Sequence, residues 1–370
     1  FRDIKQKDIQ NEAYLIENYS RDILEKLGSE ADKTGDLEYP DKVAFLAHIA
    51  SKMHENLDFE WSQASFQQET EAYFRTWGEK IPKNNVFQQF FEKGILYLYA
   101  GKVSFKFKFW FNFFLAKSMT RKKSESDRVL ERGDYLRFRV AIAYKAGLQR
   151  NDIELVEEIT RRLINAGTKF GDGCQPFENM LDISAQVSEM TPILEQEIRQ
   201  KNSETEVDEV KQLQLTIVAE GNEAEDQEDI DIVDLLTLHS EVIKHTREIE
   251  ETRKIELIRL NVQGYIGLMY IFNEQFVELV EKMSSAELAK FLFPKDNAKT
   301  GERRLKSMLS QGRRMIWRIV PTSVTLYLAD HLATKRLSDS FLAAAKYTDI
   351  SDFEQSIYLM LAFRADIDDG

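Results

Sequence analysis

One stretch of the sequence, KGILYLYAGKVSFKFKFWFNFFLAKSM from Lys93 to Met119, constrains the fold more than any other. Two short runs of β-forming residues, Ile95–Tyr99 and Val103–Phe107, flank a connection that contains Gly101. Apolar and polar side chains alternate along the second run, so one face of it is apolar. A lone hairpin is only marginally stable in water, and we therefore predict that the aromatic residues after it form a helix that covers this face.

The rest of the sequence has the periodicity of helices, with apolar residues repeated at spacings of three and four. The chain of 370 residues holds only 6 prolines and 16 glycines, which favours long helices. We therefore predict a mainly α fold in which the hairpin, extended by at most one short strand, is the largest sheet.

Composition excludes several classes of protein. Hydrophobic residues make up 43% and charged residues 31% of the chain, as is typical of a soluble globular protein. No run approaches the roughly 18 apolar residues of a membrane span. The single cysteine, Cys174, excludes an intrachain disulfide and suits a reducing, cytoplasmic location. The sequence begins at Phe1 without a signal peptide, and we interpret it as a piece of a longer chain.

The net charge of −13 argues against nucleic-acid binding over the whole surface, although it does not exclude a local basic patch. We expect the aromatic residues around the hairpin to form core. A platform on which nucleic-acid bases stack would need exposed aromatic rings beside the lysines.

Glycine and proline positions are predicted to divide the longer helices. The periodicity predicts one helix over Val129–Ala146 and another over Ile230–Met283, which is too long to remain unbroken. Gly264 and Gly267 are the expected break points, since glycine costs about 1 kcal/mol relative to alanine in a helix. Pro321 lacks a backbone donor and is expected to separate two helices.

The order of elements around the hairpin is that of a winged helix. Helices are predicted at 41–54, 62–76 and 85–93 before the hairpin, and an aromatic helix is predicted after it. Gly94 follows the third helix, where a C-terminal cap is expected. Gly101 allows the wing to turn.

The segments NEAYLIENYSRDILEKL, DKVAFLAHIASKM and FQQFFEKGILYLYAGKVSFKFKFWFNFFLAKSM together resemble a region of STAND-type P-loop NTPases, which include NACHT and NB-ARC proteins. In that family a helical lid follows the ATPase core and leads into a winged helix. The hairpin of the winged helix carries a Phe-x-His element, and the next helix ends Glu-Tyr/Phe-Leu-Ala-Ala. The resemblance covers about residues 8–120.

Four phenylalanines carry the comparison with this family pattern. Phe105 matches the Phe, Phe107 stands where the His would be, and Phe113 replaces the Glu. Phe114 matches the aromatic position, and Lys117 replaces the final Ala. In many members the His contacts the nucleotide phosphates. Because Phe107 stands in place of that His, the resemblance does not imply direct nucleotide sensing at this position. All four phenylalanines are expected to belong to the winged-helix core.

The resemblance implies a helical lid remnant, a winged helix with one β-hairpin, and then an irregular helical array. Two polar segments support this division, namely the turn-rich residues 166–176 and the acidic block at 219–234, which is typical of a spacer. The predicted domains are a helical lid or linker, a winged-helix-like domain, a helical domain and a C-terminal helical sensor-like domain, at residues 1–30, 31–125, 126–220 and 221–370.

The function implied by the resemblance is that of a non-catalytic regulatory and sensor region of a signal-transduction ATPase, in bacterial or antiviral defence. Such a region couples recognition of a ligand or partner to nucleotide-driven switching or assembly. ATP or ADP and Mg²⁺ would bind an upstream domain, and the implied partners are other domains of the same polypeptide and further copies in a homo-oligomer. The alternative is a free-standing helical scaffold or a winged-helix regulator that binds nucleic acid.

Catalytic motifs are missing from the sequence. No G-x-x-x-x-G-K-[ST] phosphate loop occurs. His48 and His54, like His239 and His245, are six residues apart, which does not place them together on one helical face as metal ligands. We therefore predict no catalytic, cofactor-binding or metal-binding residue in this chain.

Residues 301–318 (GERRLKSMLSQGRRMIWR) are strongly basic, with Glu302 as the single opposing charge. Two interpretations stay open. The stretch is either a solvated face that pairs with the acidic excess of the chain, or a surface for an anionic ligand, a partner protein or, less expected, a nucleic acid. The candidate partner-binding residues are Arg303, Arg304, Lys306, Arg313, Arg314 and Arg318.

Overall fold

The structure is a computed structural model, and it divides the chain into two compact units. The first unit holds the described residues up to Asp152, together with His245 and Thr246, and the second holds the other described residues. The structure describes residues 12–25, 37–76, 84–167, 232–246, 248–282 and 298–367.

The first unit is mainly helical, which confirms the predicted fold class for this part of the chain. The three helices predicted before the hairpin, at 41–54, 62–76 and 85–93, lie within two residues of their predicted bounds. The helices of this unit are α1 Glu12–Glu25, α2 Tyr39–Asn56, α3 Gln63–Thr76, α4 Asn84–Glu92, α5 Lys108–Arg121, α6 Lys123–Glu131 and α7 Arg139–Leu148, with a 3₁₀ turn at Tyr135–Phe138.

A three-stranded antiparallel sheet is the only sheet among the described residues. The predicted hairpin consists of β2 (Leu96–Tyr99) and β3 (Lys102–Phe105), and β1 (Trp61–Ser62) pairs with the other edge of β3. The prediction of a hairpin extended by one short strand is therefore confirmed. The order along the sheet is β1-β3-β2, which leaves β2 at an edge.

Both ends of β2 are set by residues with positive φ. The Gly94 amide donates to Phe91 O (3.0 Å) and the Ile95 amide to Phe90 O (2.9 Å), which closes α4 with Gly94 at a φ of 71°. At the tip of the hairpin, Ala100 and Gly101 both have positive φ, as a two-residue type I′ turn requires. Gly101 takes this conformation without strain, whereas Ala100 takes it at a cost.

The aromatic helix α5 lies at the centre of the first unit. Seven consecutive residues, from Trp110 to Ala116, are buried, so the helix is covered on all sides. Its neighbours are α1, α2, α6, α7 and strand β3. A helix that is apolar all round is expected to be buried in this way. The burial of α5 gives the apolar face of the hairpin, with Val103 and Phe105, a surface to pack against.

A second group of aromatic rings joins α2 to α3 and α4. Phe45 is fully buried, and its ring contacts five other rings at centroid distances between 5.4 and 6.3 Å. Because these rings come from three helices, Phe45 fixes the three helices against one another. The five rings belong to Phe66, Tyr73, Phe74, Phe87 and Phe90.

In the second unit, every element that the structure describes is helical. The short helix α12 packs against both α10 and α13, and α10 packs along α11. The helices are α8 Ile153–Gly167, α9 Ile232–His245, α10 Glu251–Lys282, α11 Ala298–Leu332, α12 Ser338–Ala344 and α13 Asp352–Ile367, with a 3₁₀ turn at Lys335–Leu337.

The prediction of a single helix over Val129–Ala146 was wrong. Helix α6 ends at Glu131, Arg132 is extended, and a 3₁₀ turn leads into α7. The break occurs at Gly133, and the turn buries both Tyr135 and Phe138. The free energy gained by burying two aromatic side chains here exceeds the free energy lost by interrupting the helix.

The predicted break at Gly264 or Gly267 was also wrong. The chain leaves the helix between α9 and α10 instead, and this segment buries Ile249. Gly264 lies inside α10, where an added Cβ would be 2.5 Å from Leu236 Cδ2. This glycine therefore allows α9 to approach α10 closely rather than ending a helix.

Pro321 does not separate two helices, because α11 continues through it. The side chains of Pro321, Val324 and Leu328 are all buried, so packing of the following turns offsets the missing backbone donor, a loss of about 3 kcal/mol. Thr325 Oγ1 donates to Pro321 O (2.7 Å) on the buried side.

The predicted domain division stays a prediction. The boundaries after residues 30 and 220, the turn-rich residues from 168 to 176 and most of the acidic block lie outside the described residues. The boundary after residue 125 falls within α6.

Replacing Ala100 tests the account of the hairpin turn. Ala100→Asn should raise the free energy of unfolding by about 1 kcal/mol, because Asn adopts positive φ more readily than Ala. Ala100→Val should lower it, since a β-branched side chain is strained at positive φ. Urea unfolding followed by circular dichroism measures both changes, and equal effects of the two replacements would contradict the turn geometry.

Candidate functional site

The first candidate site is the junction between the hairpin and α5, where the family pattern places Phe-x-His. Phe105 is buried at the end of β3. Its ring contacts Phe111 (6.0 Å between centroids) and stacks on Phe114 (5.8 Å). These contacts hold the end of the hairpin against α5.

Phe107 lies just beyond β3 and is the residue before α5, with φ −131° and ψ 145°. It is half-buried, so the strand alternation that would place it on the covered face ends at Phe105. Its ring stacks on that of Phe109 (5.6 Å, 12°), and Lys106 Nζ lies 5.4 Å from the ring centroid. A phenyl ring has no N–H to donate, so residue 107 cannot form the phosphate hydrogen bond that the family His supplies.

Within α5, Phe113 and Phe114 are fully buried. Lys117, one turn later, forms an ion pair with Glu17 of α1 and lies 5.6 Å from the Phe113 ring centroid. The residue that departs from the family's final Ala therefore ties α5 to α1.

The basic stretch at 301–318 forms part of one continuous helix, α11. Arg303, Arg304 and Lys306 are exposed on either side of the buried Leu305. The backbone of Arg313, Arg314 and Arg318 belongs to the same helix, but their side chains lie outside the description. The assignment of these residues as a partner-binding surface stays a prediction.

A buried polar cluster lies within the second unit around His239, which is fully buried in α9. Asn261 Nδ2 donates to His239 Nδ1 (3.0 Å), so this ring nitrogen is the acceptor. The proton then lies on Nε2, which donates to Thr160 Oγ1 (3.1 Å), and that hydroxyl donates to Val156 O (2.6 Å). The neutral imidazole is thus satisfied at both nitrogens by side chains of α8 and α10.

The remaining polar atoms of the cluster form hydrogen bonds with one another or with the backbone. Ser240 Oγ lies 3.0 Å from Asn261 Oδ1, and Asn261 Nδ2 also donates to Leu236 O (3.2 Å). Burial lowers the pKa of His239 to about 3, because a charged imidazole here would lose its hydration. A residue held neutral with both nitrogens occupied is suited to joining helices rather than to transferring protons.

His54 in the first unit is a second buried imidazole, with its ring 4.5 Å from that of Phe138 in a T-shaped arrangement. Burial, together with the nearby charge of Arg132, lowers the pKa of His54 to about 4. His48 is half-buried and bonds Glu69 (2.7 Å). Within the part of the chain that the structure describes, no group of three or more His, Cys, Asp or Glu side chains could hold a metal ion.

None of the described helices combines the length and the apolar composition that crossing a membrane requires.

Residues 59–115 match the model of the family Novel STAND NTPase 4. The matched segment begins just before β1, contains α3, α4 and the hairpin, and ends within α5. This match confirms the resemblance over these residues and supports a STAND-type NTPase-associated region. No curated protein and no solved structure matches the chain.

The sequence did not predict the polar cluster; it indicated only that His239 and His245 are not placed together as metal ligands. Thr160, His239 and Asn261 are far apart in the sequence and belong to three different helices, so no short motif contains more than one of them. Nor did the sequence predict the outward face of the hairpin, where Tyr97 and Tyr99 are exposed.

Replacing His239 tests the cluster. The pKa of His239 is about 3 when folded against the ordinary 6.5, so between these values only the unfolded chain takes up the proton. Stability is therefore full above pH 6.5 and falls below it, by about 2 kcal/mol between pH 7 and pH 5. His239→Gln should remove this loss, as measured by urea unfolding of the second unit at the two pH values.

Thr160→Val is the matched control, because it removes a hydrogen bond but leaves the imidazole in place. It should lower the free energy of unfolding at both pH values and keep the dependence on pH. If His239→Gln keeps the full loss between pH 7 and pH 5, the buried neutral imidazole is not its cause.

Proposed function

We propose that this chain is a non-catalytic regulatory region of a STAND-type signal-transduction ATPase, and that the predicted domain at residues 31–125 acts as its winged helix. The observation that carries the proposal is the family match at 59–115, whose described residues form the three-stranded sheet, α3, α4 and the start of α5. Along the chain these elements run from β1 through α3, α4 and the hairpin into α5.

The order of elements supports the winged-helix assignment. A helix (α2), a short strand, two helices and a hairpin follow one another, and the short strand pairs with the second strand of the hairpin. Apart from the short strand, this is the order of three helices and a hairpin on which the winged-helix prediction rests. The aromatic helix α5 then takes the place of the family helix that follows the hairpin.

We propose that this winged helix follows the nucleotide state through packing rather than through a phosphate contact. Phe107 stacks on Phe109, whose ring lies 4.7 Å from that of Trp110. Trp110 stacks on Tyr19 of α1 at 5.6 Å and 11°. A continuous row of rings thus connects the position of the family His with α1, the proposed remnant of the helical lid. In this proposal the row passes a displacement at one end to the other.

Sensing belongs, in this proposal, to the helices after the acidic block. The exposed Arg303, Arg304 and Lys306 on α11 offer a cationic surface to an anionic ligand or an acidic partner protein. Recognition there would bias assembly of a homo-oligomer in a cytoplasmic defence system. ATP and Mg²⁺ would belong to the P-loop domain that precedes this region in the family.

The proposal predicts that the chain alone neither binds ATP or ADP with micromolar affinity nor hydrolyses ATP, because it has no phosphate loop and Phe107 replaces the His. Isothermal titration and a phosphate-release assay measure the two properties. The complete polypeptide, purified from its native gene, should retain bound nucleotide. Micromolar binding by the chain alone, or a complete polypeptide without a P-loop domain, would contradict the proposal.

The complete polypeptide also allows a matched pair of variants. Phe107→His restores the family donor and should tighten ADP binding about tenfold, as a hydrogen bond to a charged group does. Phe363→His introduces the same ring at an exposed position in the second unit and should leave ADP affinity unchanged. If both variants change ADP affinity by the same amount, residue 107 does not contact the nucleotide, and its assignment to the His position of the family pattern is wrong.

A further inference from the structure

The outer face of the hairpin carries two exposed tyrosines. Tyr99 is 69% exposed and Tyr97 is 47% exposed, although both belong to the regular part of β2. Tyr97 pairs with Ser104 and Tyr99 pairs with Lys102 across the ladder, and paired residues share a face. The outer face is therefore made of two phenol rings, a hydroxyl and an ammonium group.

The two tyrosine rings are aligned with each other. Their planes are 8° apart and their centroids are separated by 6.1 Å. The opposite face of the sheet carries the buried Val103 and Phe105, and Phe105 packs on Phe111 and Phe114 of α5. The tyrosines are thus not needed for the core, and their flat faces are available to another planar group.

Lysines lie at both ends of this row of rings. Lys102 is level with Tyr99, and Lys106 lies just beyond the end of β3, with its Nζ 5.4 Å from the Phe107 ring centroid. Lys93, at the end of α4, is exposed as well. None of these three lysines forms an ion pair with another described residue, and Lys102 Nζ has only a long contact to Glu60 O (3.4 Å).

The charge of this region opposes that of the whole chain. Residues 93–123 contain eight lysines and arginines and no aspartate or glutamate, whereas the net charge of the chain is −13. Three of the eight, Lys93, Lys102 and Lys106, lie in or beside the hairpin, and residues 93–106 contain no carboxylate side chain, so this segment attracts an anion. Charge complementarity therefore selects an anionic partner for this face.

We propose that the outer face of the hairpin binds single-stranded nucleic acid, with bases stacked on Tyr97 and Tyr99 and phosphates held by Lys102 and Lys106. Parallel exposed rings between lysines supply stacking and charge in the alternation that a single strand presents. Ser104 lies between them and offers a hydroxyl to a base edge. An acidic protein fits less well, since two rings on an edge strand provide little of the apolar area that a protein interface needs.

Fluorescence anisotropy of the chain with a labelled oligouridylate of about 12 nucleotides tests the proposal. Tyr97→Ala and Tyr99→Ala should each weaken binding about tenfold, because each removes a stacking surface. Lys102→Glu should weaken binding and flatten the dependence of log affinity on log salt by about 0.7. Circular dichroism confirms that these variants, all altered at exposed positions, remain folded.

Phe363→Ala is the matched control, because Phe363 is 66% exposed but lies in the second unit. It should bind the oligonucleotide as tightly as the unaltered chain. The same measurement with an oligomer of abasic sugar-phosphate separates stacking from charge, and affinity for it should be far lower.

Four results would overturn the proposal. These are no binding of the oligouridylate, equal binding of the abasic oligomer, tighter binding of a duplex of the same length, and displacement of the oligonucleotide by an acidic peptide at equal concentration. The last result would assign the hairpin to a protein partner. The nucleotide-binding experiments above do not depend on this surface, so the two proposals fail separately.

Discussion

Burial of helix α5 on every side is the constraint on which the rest of the first unit depends. Between Phe109 and Met119 this helix carries apolar side chains, five of them aromatic, on every side, so neighbouring elements must surround it. Helix α2 covers one side and reaches the Phe45 cluster with its other side, while α7, α6 and α1 cover the remainder. The hairpin also covers α5, because Phe105 stacks on Phe114. The short sheet is therefore stable as a cover for α5, although a lone hairpin of this length would not be.

This arrangement divides the hairpin into two functional faces. The inner face, with Val103 and Phe105, contributes to the core, and the outer face, with Tyr97, Tyr99 and Lys102, remains in solvent. The junction at Phe107 lies between them and leads by stacked rings to α1. One element thus offers both an internal connection, as the proposed regulatory role requires, and an external surface for a ligand.

Local sequence signals predicted most of the first unit. The alternation of β3, the positive φ of Gly94 and the aromatic run in the first half of α5 depend on neighbouring residues, and each is visible in the sequence. Predictions failed where tertiary packing decides. Pro321 stays within a helix and Gly264 permits close approach of two helices, because residues distant in sequence surround them.

The candidate sites also differ in whether local sequence or tertiary packing determines them. The position of Phe107 in the family pattern could be predicted, but its partial burial depends on where β3 ends. The exposure of Tyr97 and Tyr99 could not be predicted, because periodicity alone does not show which face of an edge strand is covered. The polar cluster of His239 joins three helices whose residues share no motif, so only the packed structure brings its side chains together.

Native-state hydrogen exchange measured by NMR tests most directly whether α5 stabilises the hairpin. The Lys106 amide, which donates to Ile95 O (2.9 Å), and the Leu115 amide in α5 report on the two elements. If the hairpin depends on α5, both amides should exchange with the same opening free energy and the same dependence on denaturant. Phe114→Ala should lower both by the same amount, about 3–5 kcal/mol. Exchange of Lys106 at an opening free energy several kcal/mol below that of Leu115, unaffected by Phe114→Ala, would show that the hairpin opens independently and would contradict the account.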